Sequence, residues 1–333
     1  MNTGILFLCG RLRALESRLL DKNKLDRMIG AASADDAFRV LTELQYSEYF
    51  DESVRPADFE KIIENGLFET KKMIAEFAEN CGLEFLWQKF DINNLKRAAK
   101  IKFLEQKNSI ENFSENGGFS LLGNFSKQKI EEIIFQKNLK NLPEILATAC
   151  ENAEKNWKKN QDFREIENIF DRAHFANLQK IAKKLRSKFL KNFFEIIVDS
   201  ANFVALARSI LIFQKNLAKK FWIAGGNFNF CEIEKIDNFA DFEKWAAKTK
   251  FANFTKKITE FSDEEKIYKI EKRADIFYKN FVRENAAGQY GTIQIPINYF
   301  EQRLANARMI KFVMSAKING MPPEKIYKVL ENF

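Results

Sequence analysis

Apolar residues recur along this chain at helical spacing. Leu8, Leu12, Leu15 and Leu19 step by 4, 3 and 4, which lays one stripe along a first helix. Leu178, Ile181, Leu185 and Phe189 repeat the pattern and predict one continuous helix through that stretch. Alternating, strand-like runs are weak, and no proline interrupts the chain between Pro143 and Pro296. Helix punctuation agrees. Ser262-x-x-Glu265 is a capping box, and Ser33-x-x-Asp36 is a weaker one. Asn319-Gly320 ends a helix, and Pro322-Pro323-Glu324 begins the last, where proline's missing N–H is not needed. The pattern predicts an all-α protein.

A phrase repeats within this helical background. Asp91, Asn94 and Leu95 in "KFDINNLKRA" correspond to Asp199, Asn202 and Phe203 in "IVDSANFVAL". Gly117-Gly118 follows the first copy and Gly225-Gly226 the second, both 26 residues after the Asp. An eroded third copy lies in "RLANARMIKFVMSAKINGM", with Asn306 in the Asn place, Arg303 where Asp should stand, and Gly320 arriving early. A second marker keeps step: short helices ending in "LTELQY", "ILATAC" and "KWAAKTKF" align Leu44, Thr148 and Thr249. A period near one hundred residues is too long for a solenoid unit, so it is domain-sized. We expect three similar helical domains, 1–116, 117–224 and 225–333, in a compact pseudo-threefold arrangement.

An Asp three residues before Asn, placed at a helix entrance, would cap first-turn N–H groups and favour the positive end of the dipole. Asn94 and Asn202 would then reach across to a neighbouring helix or loop. A catalytic or metal-binding acid at each copy is the alternative, but the third copy lacks the Asp and no His or Cys recurs beside it.

Composition narrows the chemistry. The 333 residues include 54 basic and 46 acidic side chains, a net charge of +8, with 34 phenylalanines and one histidine. That balance permits nucleic acid, an anionic surface or an acidic protein partner. The basic run "QKIAKKLRSKFLK" places Lys180, Lys184, Lys188 and Lys191 on one predicted helix face, opposite Ile181, Leu185 and Phe189. No nucleic-acid reader motif accompanies it. Cys9, Cys81, Cys150 and Cys231 are far apart, without a CxxC, and read as free thiols in a reducing cytoplasm. The apolar opening "GILFLC" is far shorter than the roughly 20 residues that span a bilayer, and Arg11 and Arg13 follow it. His174, one turn after Asp171, is at most half a metal site. "ADDAF" lacks the second acidic pair of a Mg²⁺-diphosphate motif, and no Walker sequence occurs. We expect no catalytic residue, no metal, no cofactor and no small-molecule substrate.

The opening "GRLRALESRLLDKNKLDRMIGAASADDAFRVLTELQY" resembles the first segment of the C subunit of V/A-type ATPases, whose eukaryotic vacuolar counterpart carries the letter d. Arg11, Arg13, Glu16, Leu19, Leu20, Leu41 and Tyr46 match its Arg-x-Arg, Glu-x-x-Leu-Leu and Leu…Tyr features, while Leu44 replaces the usual Thr. The Asp-x-x-Asn-Leu phrase with its Gly-Gly follower is similar to the family's, as is the closing set Tyr299, Phe300, Asn306, Arg308, Ile310, Lys317, Gly320 and Pro322. Arg303 departs from the family's Glu before that Asn. The resemblance covers essentially the whole chain. It implies three helical domains around a funnel, no hydrolytic activity, and a socket between the central stalk of the soluble ATPase head and the membrane ring of ion-carrying subunits. The protein would then be cytoplasmic and peripherally attached to the membrane through that complex, with no transmembrane segment of its own and no nucleic-acid partner. Arg11, Arg13, Arg97, Lys100, Lys180, Lys184 and Lys188 are candidates for its docking faces. The other reading is a helical scaffold with a basic face, unrelated to ATPases.

Overall fold

Helices account for the regular structure of the described residues, and no strand occurs among them. The computed structural model describes residues 3–50, 53–79, 81–104, 118–212 and 220–331. In chain order the α-helices are α1 (Thr3–Leu15), α2 (Lys22–Gly30), α3 (Ala34–Arg39), α4 (Phe59–Phe77), α5 (Phe85–Phe103), α6 (Lys127–Ile134) and α7 (Glu144–Asn160). They continue with α8 (Phe163–Leu185), α9 (Lys188–Leu211), α10 (Phe230–Ile233), α11 (Phe239–Ala246), α12 (Asp263–Ala286), α13 (Gln294–Ile318) and α14 (Pro323–Glu331).

The caps form as their residues dictate. Ser262 N–H donates to Glu265 (3.1 Å) while Glu265 N–H donates to the Ser262 hydroxyl (3.3 Å), a reciprocal box. Ser33 accepts from the Asp36 N–H at 3.1 Å. Gly320, at φ +68°, ends α13, and the Met321 N–H reaches back to the Ala316 carbonyl.

Three expectations need correction. The first helix stops at Leu15: a 3₁₀ turn follows at Glu16–Arg18, and Leu19 is extended. The Lys24 ammonium takes the Ser17 and Leu19 carbonyls (3.2 and 3.1 Å), supplying partners that a continued helix would have supplied. The helix expected through 178–189 breaks at Arg186, whose φ is +50°, and Ser187 caps a new helix by accepting from the Leu190 N–H. "ILATAC" ends no helix, because α7 continues to Asn160.

By compactness the chain divides into a first unit, residues 1–83 with 283–333, and a second, residues 84–282. In the first unit α13 packs against α1, α3 and α4. Its buried residues fall on several sides, among them Ile297, Tyr299, Phe300, Ile310, Val313 and Met314, as expected of a helix at the middle of a bundle. Two separate cores are described within the second unit. One gathers Ile92, Leu95, Ile130, Ile133, Leu146, Ile166 and Phe170; the other gathers Phe203, Leu206, Phe242, Phe251, Phe254 and Ile270.

Candidate functional site

The repeated phrase builds a pair of backbone clamps. Asp91 lies in the middle of α5 and is 1% exposed. Its Oδ1 accepts the Phe125 N–H at 2.9 Å and its Oδ2 accepts from Asn124 Nδ2 at 2.8 Å. One turn on, Asn94 grips both polar groups of a single residue: Nδ2 donates to the Ser120 carbonyl (3.0 Å), and Oδ1 accepts the Ser120 N–H (2.9 Å).

The second copy repeats this arrangement. Asp199, fully buried in α9, accepts the Asn227 N–H (2.7 Å) and Asn227 Nδ2 (3.0 Å). Asn202 grips the Ile223 carbonyl (2.8 Å) and N–H (2.9 Å). Here the Lys250 ammonium also reaches the Asp199 carboxylate, at 2.7 Å.

Neither Asp stands at a helix entrance, so the capping role expected from sequence is replaced by another. Mid-helix N–H groups already have partners four residues back. A buried carboxylate there satisfies donors of a different segment instead, through charge-assisted bonds.

The glycine pairing also changes. A Cβ on Gly123 would lie 2.4 Å from Asp91 Oδ1, and one on Gly226 would lie 2.0 Å from Asp199 Oδ1. Gly123 and Gly226 are therefore the equivalent positions. Gly118 instead lies against the Arg97 guanidinium, and Gly225 (φ +101°) against the Gln179 amide. Gly117 lies outside the described residues. The shared 26-residue spacing matched glycines with different neighbours, because the segment returning to each clamp differs in length.

The third copy keeps the Asn and inverts the charge before it. With the Asn306 amide oriented so that both of its ends are satisfied, its nitrogen donates to the Gln302 carbonyl (3.1 Å) and its oxygen accepts the Leu20 N–H (2.6 Å). Arg303, 1% exposed in α13, stacks its guanidinium 4.7 Å from the centre of the Tyr46 ring. Its Nε and Nη2 have no hydrogen-bond partner among the described residues. Burial pushes the Tyr46 phenol up, against the opposing pull of the Arg303 charge. A Cβ on Gly66 would come within 2.6 Å of this ring, so glycine is what admits the stack. Gly320 has open space around it; it ends a helix and belongs to no clamp.

The basic run folds around the α8–α9 corner rather than along one face. Lys183, Arg186, Lys188 and Lys191 line a cavity of about 490 Å³ there, with Phe194 at its wall and Glu195 its one acid. Lys180 and Lys184 are exposed beside it. Among the described residues, Lys180, Lys183, Lys184, Arg186 and Lys188 form no ion pair, and Lys191 has Glu195 only at 3.8 Å.

Other sequence candidates are tied within their own unit. Lys100 pairs with Glu167, and Arg97 packs under Gly118. Arg13 binds Glu16 (2.9 Å) and the Ala286 carbonyl (2.9 Å), whereas Arg11 is exposed. His174 faces the Gln88 amide at 3.2 Å, and Asp171 is held by Lys96 at 2.5 Å, so the two do not converge on a metal. Burial, helped by Lys89 and Lys96, pushes the imidazole down to about 4. No group of three metal-ligating side chains occurs among the described residues. Sequence reasoning missed Lys250 and Tyr46 as partners of the repeated phrase. The cap signal of Ser187, a Ser just before an apolar periodic run, was available to find the corner.

Residues 8–329 match the family described as ATP synthase (C/AC39) subunit. The chain is similar to the C subunit of the A-type ATP synthase of Methanocaldococcus jannaschii, 19% identical over an alignment covering 96% of this chain and 84% of that protein.

Proposed function

Because the chain belongs to the ATP synthase (C/AC39) subunit family, we propose that it is a non-catalytic coupling subunit of a rotary ATPase. It would act as the socket through which the central stalk of the soluble head engages the membrane ring of ion-carrying subunits. The match over residues 8–329 carries this reading, since it spans both units and the repeated phrase alike. Membership also disfavours a scaffold unrelated to ATPases.

The physical character of the chain supports a mechanical task. Buried Asp and Asn side chains hold returning loops to mid-helix positions, and dense helical cores transmit strain with little compression. Among the described residues no helix is long and apolar enough to cross a membrane, which fits peripheral attachment through partners. We read the chain as three lobes of one plan around a funnel, the division near 116 and 224 expected from the repeat. One core per copy in the second unit supports the three-lobe plan, although the cores join 92–99 with 130–173 and 203–210 with 233–274 and so straddle those divisions, while the third copy lies in the first unit.

The uncompensated cations at the α8–α9 corner would dock an acidic surface of a neighbouring subunit. Copurification tests the whole reading: tagged chain isolated from detergent-solubilised native membranes should bring down the stalk subunits and the ring. Their absence would overturn it. The triple variant Lys183→Glu, Arg186→Glu, Lys188→Glu should weaken that association, the defect shrinking as salt is raised.

A further inference from the structure

At all three copies of the phrase a carboxamide grips backbone. Asn94 and Asn202 each hold the N–H and the carbonyl of one residue, and Asn306 takes the Leu20 N–H. On α13, Asn306 is the last of three carboxamides one turn apart, Asn298, Gln302 and Asn306. The first two have no such partner among the described residues. Asn298 is 5% exposed, and neither its amide nor that of Gln302 makes a side-chain hydrogen bond there. Both line one open cavity of about 420 Å³ in the first unit, shared with Ser17, Leu19 and Leu20 and rimmed by Arg13 and Arg283 against Glu16 and Asp21.

We propose that Asn298 and Gln302 are a receptor for the main chain of an extended segment supplied by another subunit. Side chains at i and i+4 on a helix stand about 6 Å apart. Peptide groups on one edge of an extended chain recur about every 6.7 Å, twice the rise per residue. Two carboxamides at that spacing meet two successive same-edge peptide groups, and each amide can both donate and accept. The rim carries two cations and two anions, so it favours neither a phosphate nor a cationic ligand. The Asn298 amide lines this cavity with no hydrogen bond among the described residues to break, so an incoming backbone can take it without displacing an existing partner.

This inference rests on the coupling-subunit reading, and one experiment separates the two. A photoreactive benzoylphenylalanine replaces Ser17, which lines the cavity, in the full chain within the complex isolated from native membranes. Irradiation should give an adduct with a different ATPase subunit. Asn298→Leu together with Gln302→Leu should lower its yield about tenfold with the melting temperature unchanged, and Gln302→Ala alone, on a half-buried side chain, should lower it severalfold. A chain that copurifies with ATPase subunits but gives no adduct overturns the receptor and leaves the coupling role standing. So does an adduct indifferent to both carboxamides, or one that returns to the same chain. An amide-dependent adduct to a protein outside the ATPase upholds the receptor and overturns the coupling role. No copurification and no adduct overturns both.

Discussion

The two cores of the second unit are built on one phrase and filled with different chemistry. Around Leu95 the buried filling is mainly aliphatic, from Ile92, Ile130, Ile133, Leu146 and Ile166, with Phe170 as its buried ring. Around Phe203, in the same place of the phrase, it is aromatic: the ring lies 4.8–6.4 Å from those of Phe228, Phe242, Trp245, Phe251 and Phe254. Asp and Asn clamps with nearly the same distances survive beside both fillings. The polar clamp is directional and fixes where the loop returns. The apolar filling only has to match volume, so it drifts.

Truncating the two centres should separate the cores most. Phe203→Ala should lose about 4 kcal/mol, because one ring supports five others, and Leu95→Ala about 3. Urea titration followed by circular dichroism reads both, and equal losses would break the distinction. Removing the clamp acids comes next. Asp199→Ala should cost about 3 kcal/mol, since it strands the Lys250 ammonium as well as the Asn227 donors, and Asp91→Ala about 2. Lys250→Met added to Asp199→Ala should recover part of the loss, a double-mutant cycle that fails if the lysine is indifferent to the acid.

Acid should reach the aliphatic core through His174, which follows its buried member Ala173 on α8. His174 is held neutral in the fold, its imidazole pushed down to about 4, while the unfolded chain takes a proton near 6.5. The unfolded state then binds more protons between those values, so stability falls as pH drops through that window, by about 2 kcal/mol. His174→Gln should flatten this part of the pH–stability curve measured by thermal melting. Glycine substitutions should give the smallest effects and test the pairing. Gly123→Ala and Gly226→Ala, whose Cβ atoms would press on the buried acids, should each cost about 1.5 kcal/mol. Gly118→Ala should cost under about 0.5, because the end of the Arg97 side chain can turn away.

Much of the fold was legible because its signals are local. The capping box at Ser262 and the glycine stop at Gly320 depend on residues three or four apart, and they form as expected. The α8–α9 corner was missed because the stripe Leu178, Ile181, Leu185, Phe189 runs across it unbroken, and only Ser187 marked the new start. The repeated Asp and Asn were visible as a phrase, but their direction of action was not. A mid-helix acid and a helix cap look alike when the segment they hold is 30 or so residues away.

The sequence by itself determined the helical class, the places of the Asp-x-x-Asn phrase and the cluster of cations at 180–191, because each follows from neighbours along the chain. Only the tertiary structure decided which glycine lies on which acid, that Arg303 stacks on Tyr46, and that Asn306 near the end holds Leu20 near the beginning. Those pairings depend on where loops of unequal length come back in space. Helical periodicity fixes the angle of a side chain about its own axis, but not the distance to a partner that folding alone brings within 3 Å.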